Sequence, residues 1–196
     1  ISLNVTRIDD EDLRLYIAAR SQIDPRAAME EVFEWGLESK RQYGARVAAR
    51  AWAAKGNVVE ASKYAQEISE SGARIEGLLG LSNGWGMSGQ KSELAEFLAT
   101  YPRSFQDGMV EEAVGGINRA YGLEEVMAWH EQIPESLGED FKSTVFFKGL
   151  RQVSAFDAES GANWFDQYAD QDWAFRGHGI VASEWVEQDP GDALDW

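Results

Sequence analysis

A spacing of about 33 residues recurs along this chain and constrains its fold more than any other feature. Five pairs place an aromatic residue three positions after a small or aliphatic one: Ala61/Tyr64, Leu94/Phe97, Val126/Trp129, Ala162/Phe165 and Ala193/Trp196. The first members of successive pairs are 33, 32, 36 and 31 residues apart. Self-similarity at a fixed spacing is typical of proteins that stack copies of one structural unit.

Two other marks share this spacing. Trp52 and Trp85 each precede the aromatic residue of the following pair by 12 residues, and Trp185 precedes the last aromatic residue by 11. A glycine that we interpret as a joint between helices recurs at intervals of 33: Gly56, Gly89 and Gly122. Three independent marks therefore predict a repeated unit.

The sequence between these marks has helical periodicity. Residues 44–55 are rich in alanine, with Arg46 and Arg50 four positions apart, and residues 58–70 place their apolar side chains on one helical face. Gly56 falls between the two segments and predicts the end of the first helix. Residues 143–147 favour a β-strand by their composition, but they fall where the repeat requires a helix, and we predict a helix there. Each repeat is therefore expected to be a helix, a turn and a second helix.

The chain of 196 residues is thus predicted to be all-α, a right-handed α–α superhelix of about five to six helix hairpins in a single helical-repeat domain, 1–196. We expect the hairpins at about 9–40, 44–70, 74–101, 107–133, 141–170 and 174–196. The last hairpin is expected to be cut short at Trp196. That truncation and Ile1 in place of Met predict a longer precursor.

The repeat resembles the tetratricopeptide family. The residues that carry the resemblance lie in 44–70 and are Ala49, Trp52, Gly56, Ala61 and Tyr64. Residues 182–196, with Trp185, Asp189-Pro190, Ala193 and Trp196, also look like a group of uncharacterised bacterial repeat proteins. Both resemblances imply packing roles for these residues, and neither implies an activity. We expect the small residues, such as Ala49 and Ala61, to permit close helix approach, and the rings of Trp52, Trp85 and Trp185 to fill the core between hairpins.

Composition excludes several classes of site. There is no cysteine and there are two histidines, so thiolate sites are excluded and a multi-histidine metal centre is nearly excluded. The net charge of −16 argues against nucleic acid and anionic lipid as partners, and no apolar run is long enough for membrane insertion. Residues 155–196 hold ten acidic residues and one basic residue, together with many aromatic residues. The compartment stays open between the cytoplasm and the bacterial envelope.

Motifs that are associated with chemistry have simpler interpretations here. Residues 84–89 match G-x-G-x-x-G, but no strand precedes them and Gly89 already serves as a joint, so we expect no dinucleotide site. His130 is expected to be exposed or lightly buried, and His178 lacks a catalytic partner at a diagnostic spacing. Asp170 and Asp172 begin like a calcium loop that the following residues break. We therefore predict no catalytic residue, no metal and no cofactor.

The resemblance to tetratricopeptide repeats also implies a partner-binding face. In that family the first helix of each unit lines the concave surface. Carried over to this chain, the exposed positions of those helices are Arg46, Arg50, Asn83, Arg119, Arg151 and Arg176. Arginine binds carboxylates through two parallel hydrogen bonds, so a groove of these residues would suit acidic peptides. The alternative is that these arginines pair with nearby acids of the chain itself.

We therefore expect a non-enzymatic protein-interaction or scaffold module that binds a peptide or partner protein on its concave face. An alternative is an acidic decoy or inhibitor that occupies a basic site on another protein. It would use the acidic and aromatic C-terminal end, including Asp166, Asp170, Asp172 and Glu187. A helical toroid hydrolase that uses scattered carboxylates is the third possibility.

Overall fold

A computed structural model describes residues 9–196 of the chain, without the side chains of Asp10 and Asp195. This part of the chain is all-helical and contains no β-strand, as the sequence predicts. Residues 143–147 lie inside a helix, which confirms the helical interpretation of that stretch. None of the described helices is both long and apolar enough to cross a membrane.

Long and short helices alternate along the described chain. Odd-numbered helices have 14 to 19 residues and even-numbered ones have 6 to 10. The helices are α1 (Asp10–Ile23), α2 (Pro25–Val32), α3 (Glu38–Ala54), α4 (Val58–Glu67), α5 (Ser71–Ser88), α6 (Lys91–Ala99), α7 (Arg103–Tyr121), α8 (Leu123–Gln132), α9 (Glu139–Phe156), α10 (Ala158–Asp166), α11 (Phe175–Gln188) and α12 (Pro190–Asp195). A short 3-10 turn, Glu135–Leu137, lies between α8 and α9.

The joints between each long helix and the following short one are of two kinds, one built on glycine and the other on aspartate. Gly56, Gly89 and Gly122 have φ between +84° and +90°, a conformation that glycine adopts without strain, and this confirms their role as joints. At the other three joints an aspartate accepts hydrogen bonds from the first turn of the short helix. These N-caps are Asp24, Asp157 and Asp189.

Several helices begin earlier than the sequence predicts. The second hairpin was expected to start at Gly44, but α3 begins at Glu38 and contains Gly44. A Cβ at Gly44 would lie 2.6 Å from the Trp35 ring and 2.7 Å from Val32. This glycine is therefore required for close packing inside the helix, and its position in the sequence was wrongly interpreted as a helix boundary.

The chain divides into two compact units, the first ending at Leu94 and the second comprising Ala95–Trp196. In unit 1, α3 packs against α1, α2, α4 and α5 and forms the centre. The small residues predicted to permit close approach are buried: Ala49 is 0% exposed and Ala61 is 1% exposed. Trp52 and Trp85 are buried too, which confirms the interpretation of both rings as core.

The contact between α3 and α5 brings two helix backbones together. A Cβ built on Gly80 would lie 2.0 Å from the carbonyl oxygen of Arg46, and one on Gly84 would lie 2.1 Å from that of Arg50. Both pairs are four residues apart, so two successive turns of α5 rest on two successive turns of α3. Small residues at this spacing allow helix backbones to approach closely.

In unit 2, α9 packs against α7, α8, α10 and α11. Its core is built of larger rings than that of unit 1, with Phe146, Trp164 and Phe165 buried beside Leu150 and Val181. Trp185, which the sequence predicts to fill the core, is only half-buried against it. A single repeat domain over the whole chain stays a prediction.

Gly80→Ala should destabilise the protein by about 3 kcal/mol or more, at or above the upper end of the usual cost of overpacking. The new methyl group meets a backbone carbonyl, which cannot move away without displacing α3. Chemical denaturation followed by circular dichroism measures the free energy of unfolding.

Gly179→Ala provides the matched control, because Gly179 also lies within a helix but has nothing within 4 Å of its Cβ position. That substitution should be neutral or stabilise by up to about 1 kcal/mol. Equal effects of the two substitutions would contradict the backbone contact between α3 and α5.

Candidate functional site

A pocket of about 360 Å³ opens in unit 2. This volume is within the range of about 300–1,000 Å³ that is typical of ligand sites. One side is formed by the 3-10 turn and the start of α9, and the other by the loop between α10 and α11. Its lining residues are Glu135, Gly138, Glu139, Lys142, Tyr168, Gln171 and Trp173.

Local sequence determines both sides of this pocket. Pro134 follows the end of α8, and backbone hydrogen bonds of 3.1 Å and 3.0 Å close the 3-10 turn before Gly138. Gly138 has φ of +87° and turns the chain into α9. On the other side, the amide N–H of Gln171 donates to the carbonyl of Tyr168 at 2.9 Å. Consecutive turns therefore hold the α10–α11 loop in place.

The aromatic wall of the pocket is continuous with the core of unit 2. The rings of Tyr168 and Trp173 lie 6.0 Å apart, and the centroid of each is 5.1 Å from that of Phe146. Both contacts with Phe146 are edge-to-face, the arrangement that aromatic quadrupoles favour. Phe146 is fully buried, so it holds the two wall residues against α9.

His130 lies among these rings and is completely buried, so the prediction of an exposed or lightly buried histidine is wrong. Its ring centroid is 5.0 Å from Tyr168 and 5.3 Å from Phe146. Neither ring nitrogen has a hydrogen-bond partner among the described residues. Burial, with a smaller contribution from the positive charge of Lys142, lowers the pKa of His130 to about 4. The imidazole is therefore neutral at pH 7.

The surroundings of the pocket are mostly negative. Glu135 and Glu139 are exposed at its edge, and Lys142 is the one basic residue in its lining. Burial, and secondarily the carboxylate of Glu131, raises the pKa of Tyr168, so its hydroxyl stays protonated. Residues 95–196 hold twenty acidic and six basic residues, a net charge of −14. Unit 2 thus carries almost all of the excess negative charge.

The arginine positions predicted from the resemblance fall into both units. In unit 1, the guanidinium of Arg46 pairs with the Glu76 carboxylate at 2.8 Å, which is the pairing with neighbouring acids given above as the alternative. Asn83 is 4% exposed, so little of its side chain can reach a partner. Arg50 is half-buried, and its carbonyl lies at the contact with Gly84.

In unit 2, Arg119, Arg151 and Arg176 are all exposed. The guanidinium of Arg176 lies 5.7 Å from the centroid of the neighbouring Phe175 ring. Arg151 forms no ion pair with any residue that the structure describes. The partner-binding role of the whole set stays a prediction.

The other motifs have structural explanations. Gly84 and Gly86 of the G-x-G-x-x-G match lie within α5, and Gly89 is its left-handed C-cap. Among the side chains that the structure describes, no three His, Asp or Glu come together as a group that could hold a metal ion. Asp166, Asp170, Asp172 and Glu187 are all exposed.

No protein-family model, curated protein or solved structure matches the chain. The geometry and charge of the described residues are therefore the basis for inferring a function.

Sequence reasoning did not single out Glu135, Glu139, Lys142, Tyr168 and Trp173 as a group. They come from three segments that are brought together by the packing of α9 against α8 and α10. The one available signal was the density of acidic and aromatic residues toward the C-terminus, which indicates the end of the chain but not the pocket.

The neutral, buried His130 predicts a pH-dependent stability. Between its ordinary value of 6.5 and its folded pKa of about 4, the unfolded chain binds a proton that the folded chain does not. The free energy of unfolding should therefore fall as the pH decreases from about 6.5 to about 4, by about 3 kcal/mol from this residue. Urea denaturation at a series of pH values measures it.

His130→Leu should remove this part of the pH dependence and leave the part that comes from carboxylates. His178→Leu is the control, because His178 is exposed and stacks on Trp196 at 4.6 Å. If His130→Leu left the pH profile unchanged, folding would not lower the pKa of His130, and the prediction would be wrong.

Proposed function

We propose that this chain is a non-enzymatic interaction module of the helical-repeat kind, with hairpins stacked as an α–α superhelix, and that unit 2 binds a basic segment of a partner protein. Support for the repeat comes from the six joints Asp24, Gly56, Gly89, Gly122, Asp157 and Asp189, which follow one another at intervals of 32 to 35 residues. Repeat arrays of this kind use extended surfaces to bind partners.

The observation that carries the binding proposal is the aromatic-walled pocket inside a unit of net charge −14. The loop that supplies Tyr168 and Trp173 also carries Asp170 and Asp172, and Asp166 closes the preceding helix. We call Asp166, Asp170 and Asp172 the acidic patch. Clustered carboxylates attract a basic partner over a distance, and nearby rings provide the apolar contact area.

Synthetic peptides of equal length test this proposal. A lysine- and arginine-rich peptide should bind the full chain at physiological salt, as measured by fluorescence anisotropy, and a glutamate-rich peptide should not. Changing the acidic patch to Asn at all three positions should weaken binding about fivefold to tenfold, since exposed charge contacts are worth about 0.2–1 kcal/mol each.

The matched control removes three exposed carboxylates from unit 1. Changing Glu34, Glu60 and Glu67 to Gln alters the net charge by the same amount and should leave binding within about twofold of the original. Equal loss in both triple variants would mean that the peptide responds to net charge alone, and the proposed surface would be wrong.

A second candidate is the scaffold that binds an acidic peptide through its first helices. Arg50 and Arg151 favour it, because each lies six residues before the joint of its hairpin and so occupies the same position in its helix. Asn83 shares this position in its own helix but is buried. Arg119 lies three residues before its joint and Arg176 thirteen, outside this row.

Arg151→Glu should abolish binding of a glutamate-rich peptide if this second candidate is correct, with helicity unchanged by circular dichroism. Lys63→Glu, at another exposed position on a helix, is the control and should have little effect. Absence of any acidic-peptide binding by the unaltered chain would eliminate the scaffold that uses arginine.

A further inference from the structure

We propose that the pocket between α9 and the α10–α11 loop accepts one basic side chain, lysine or arginine, of the bound segment. This inference rests on the proposed binding of a basic partner and adds a specific recognition point to it. The acidic patch would attract the segment, and the pocket would select where along the segment it docks.

The aromatic wall fits a cation attached to an apolar stem. A cation is attracted to the electron-rich faces of tryptophan and tyrosine, and the methylene groups of lysine or arginine pack against the same rings. Tyr168 and Trp173 are both half-buried, with interplanar angle 40°, so the two rings form a tilted pair at the pocket lining. Their edge-to-face contacts with Phe146 hold them in position before the ligand arrives.

The carboxylates that line the pocket favour a positively charged ligand. Glu135 and Glu139 line the pocket, and Glu131 is close enough to contribute to the raised pKa of Tyr168. Neither lining carboxylate forms an ion pair with any residue that the structure describes. Both side chains are therefore available to contact an incoming ammonium or guanidinium group.

Lys142 provides a test of which ligand charge the pocket prefers. It is the single basic residue in the lining, half-buried, and its charge contributes to lowering the pKa of His130. A bound cation must share the pocket with this ammonium group, and like charges at short range repel. Removing Lys142 should therefore strengthen the binding of a cation and weaken the binding of an anion.

The experiment uses side-chain analogues and the full chain. n-Butylammonium and n-propylguanidinium are titrated while the indole N–H signals of the eight tryptophans are followed by NMR. The Trp173 signal, assigned from Trp173→Phe, should shift with both cations. Neutral 1-pentanol is of comparable size but cannot make a cation–π contact. It should therefore bind at least about threefold more weakly, which corresponds to the usual strength of such a contact at an exposed site.

Two variants with opposite expected effects complete the test. Lys142→Gln should tighten n-butylammonium binding about threefold, and Glu139→Gln should weaken it by a similar factor, as expected for exposed charges. Lys148→Gln is the matched control, since Lys148 lies on the same helix but pairs with Glu111 at 2.9 Å outside the lining. It should leave the affinity unchanged.

Weaker cation binding by Lys142→Gln, or equal binding of 1-pentanol and n-butylammonium, would overturn the inference. Its failure is distinguishable from failure of the proposed function. If the basic peptide binds through the acidic patch but the Trp173 signal does not respond, the pocket is wrong and the partner surface stands. If the triple Asn variant binds the peptide normally while the cations shift the Trp173 signal, the pocket accepts cations but the acidic patch is not the partner surface.

Discussion

Glycine at the contacts between helices is the constraint on which this structure depends. In unit 1, Gly80 and Gly84 let α5 rest on the backbone of α3, and any side chain there would meet a carbonyl oxygen within about 2 Å. In unit 2, Gly149 and Gly177 instead accommodate the rings of Trp164 and Phe165, at 2.9 Å and 2.6 Å from a hypothetical Cβ. Glycine therefore allows close backbone contact in the first unit and close packing of aromatic rings in the second.

This difference explains why the candidate site lies in unit 2. Residues 95–196 hold sixteen of the 23 aromatic residues, and their rings pack around Phe146 in edge-to-face contacts. Large rings that extend from the core to the surface provide the wall of the pocket as well as the burial of His130. The acidic residues next to the pocket, Glu135, Glu139, Asp170 and Asp172, are exposed, because they lie in turns or at the start of α9.

Much of the fold could be predicted because its signals are local. A positive φ at Gly56, Gly89 and Gly122 and the capping by Asp24 and Asp189 depend only on neighbouring residues. Helix starts were less predictable: no helix begins at Gly44, and this glycine is explained only by its close contacts with Trp35 and Val32 on other segments. Trp185 carries the same spacing mark as Trp52 but is only half-buried, because burial depends on what packs over a ring.

Sequence by itself determined that the described chain is helical, that helices meet at Gly56, Gly89 and Gly122, and that the C-terminal part is acidic and aromatic. These properties follow from periodicity, turn chemistry and composition, each of which acts over a few residues. Only the tertiary structure decided that His130 is buried, that Arg46 pairs with Glu76, and that Glu139 and Trp173 line one pocket. Those outcomes depend on contacts between residues distant in sequence, which no local pattern encodes.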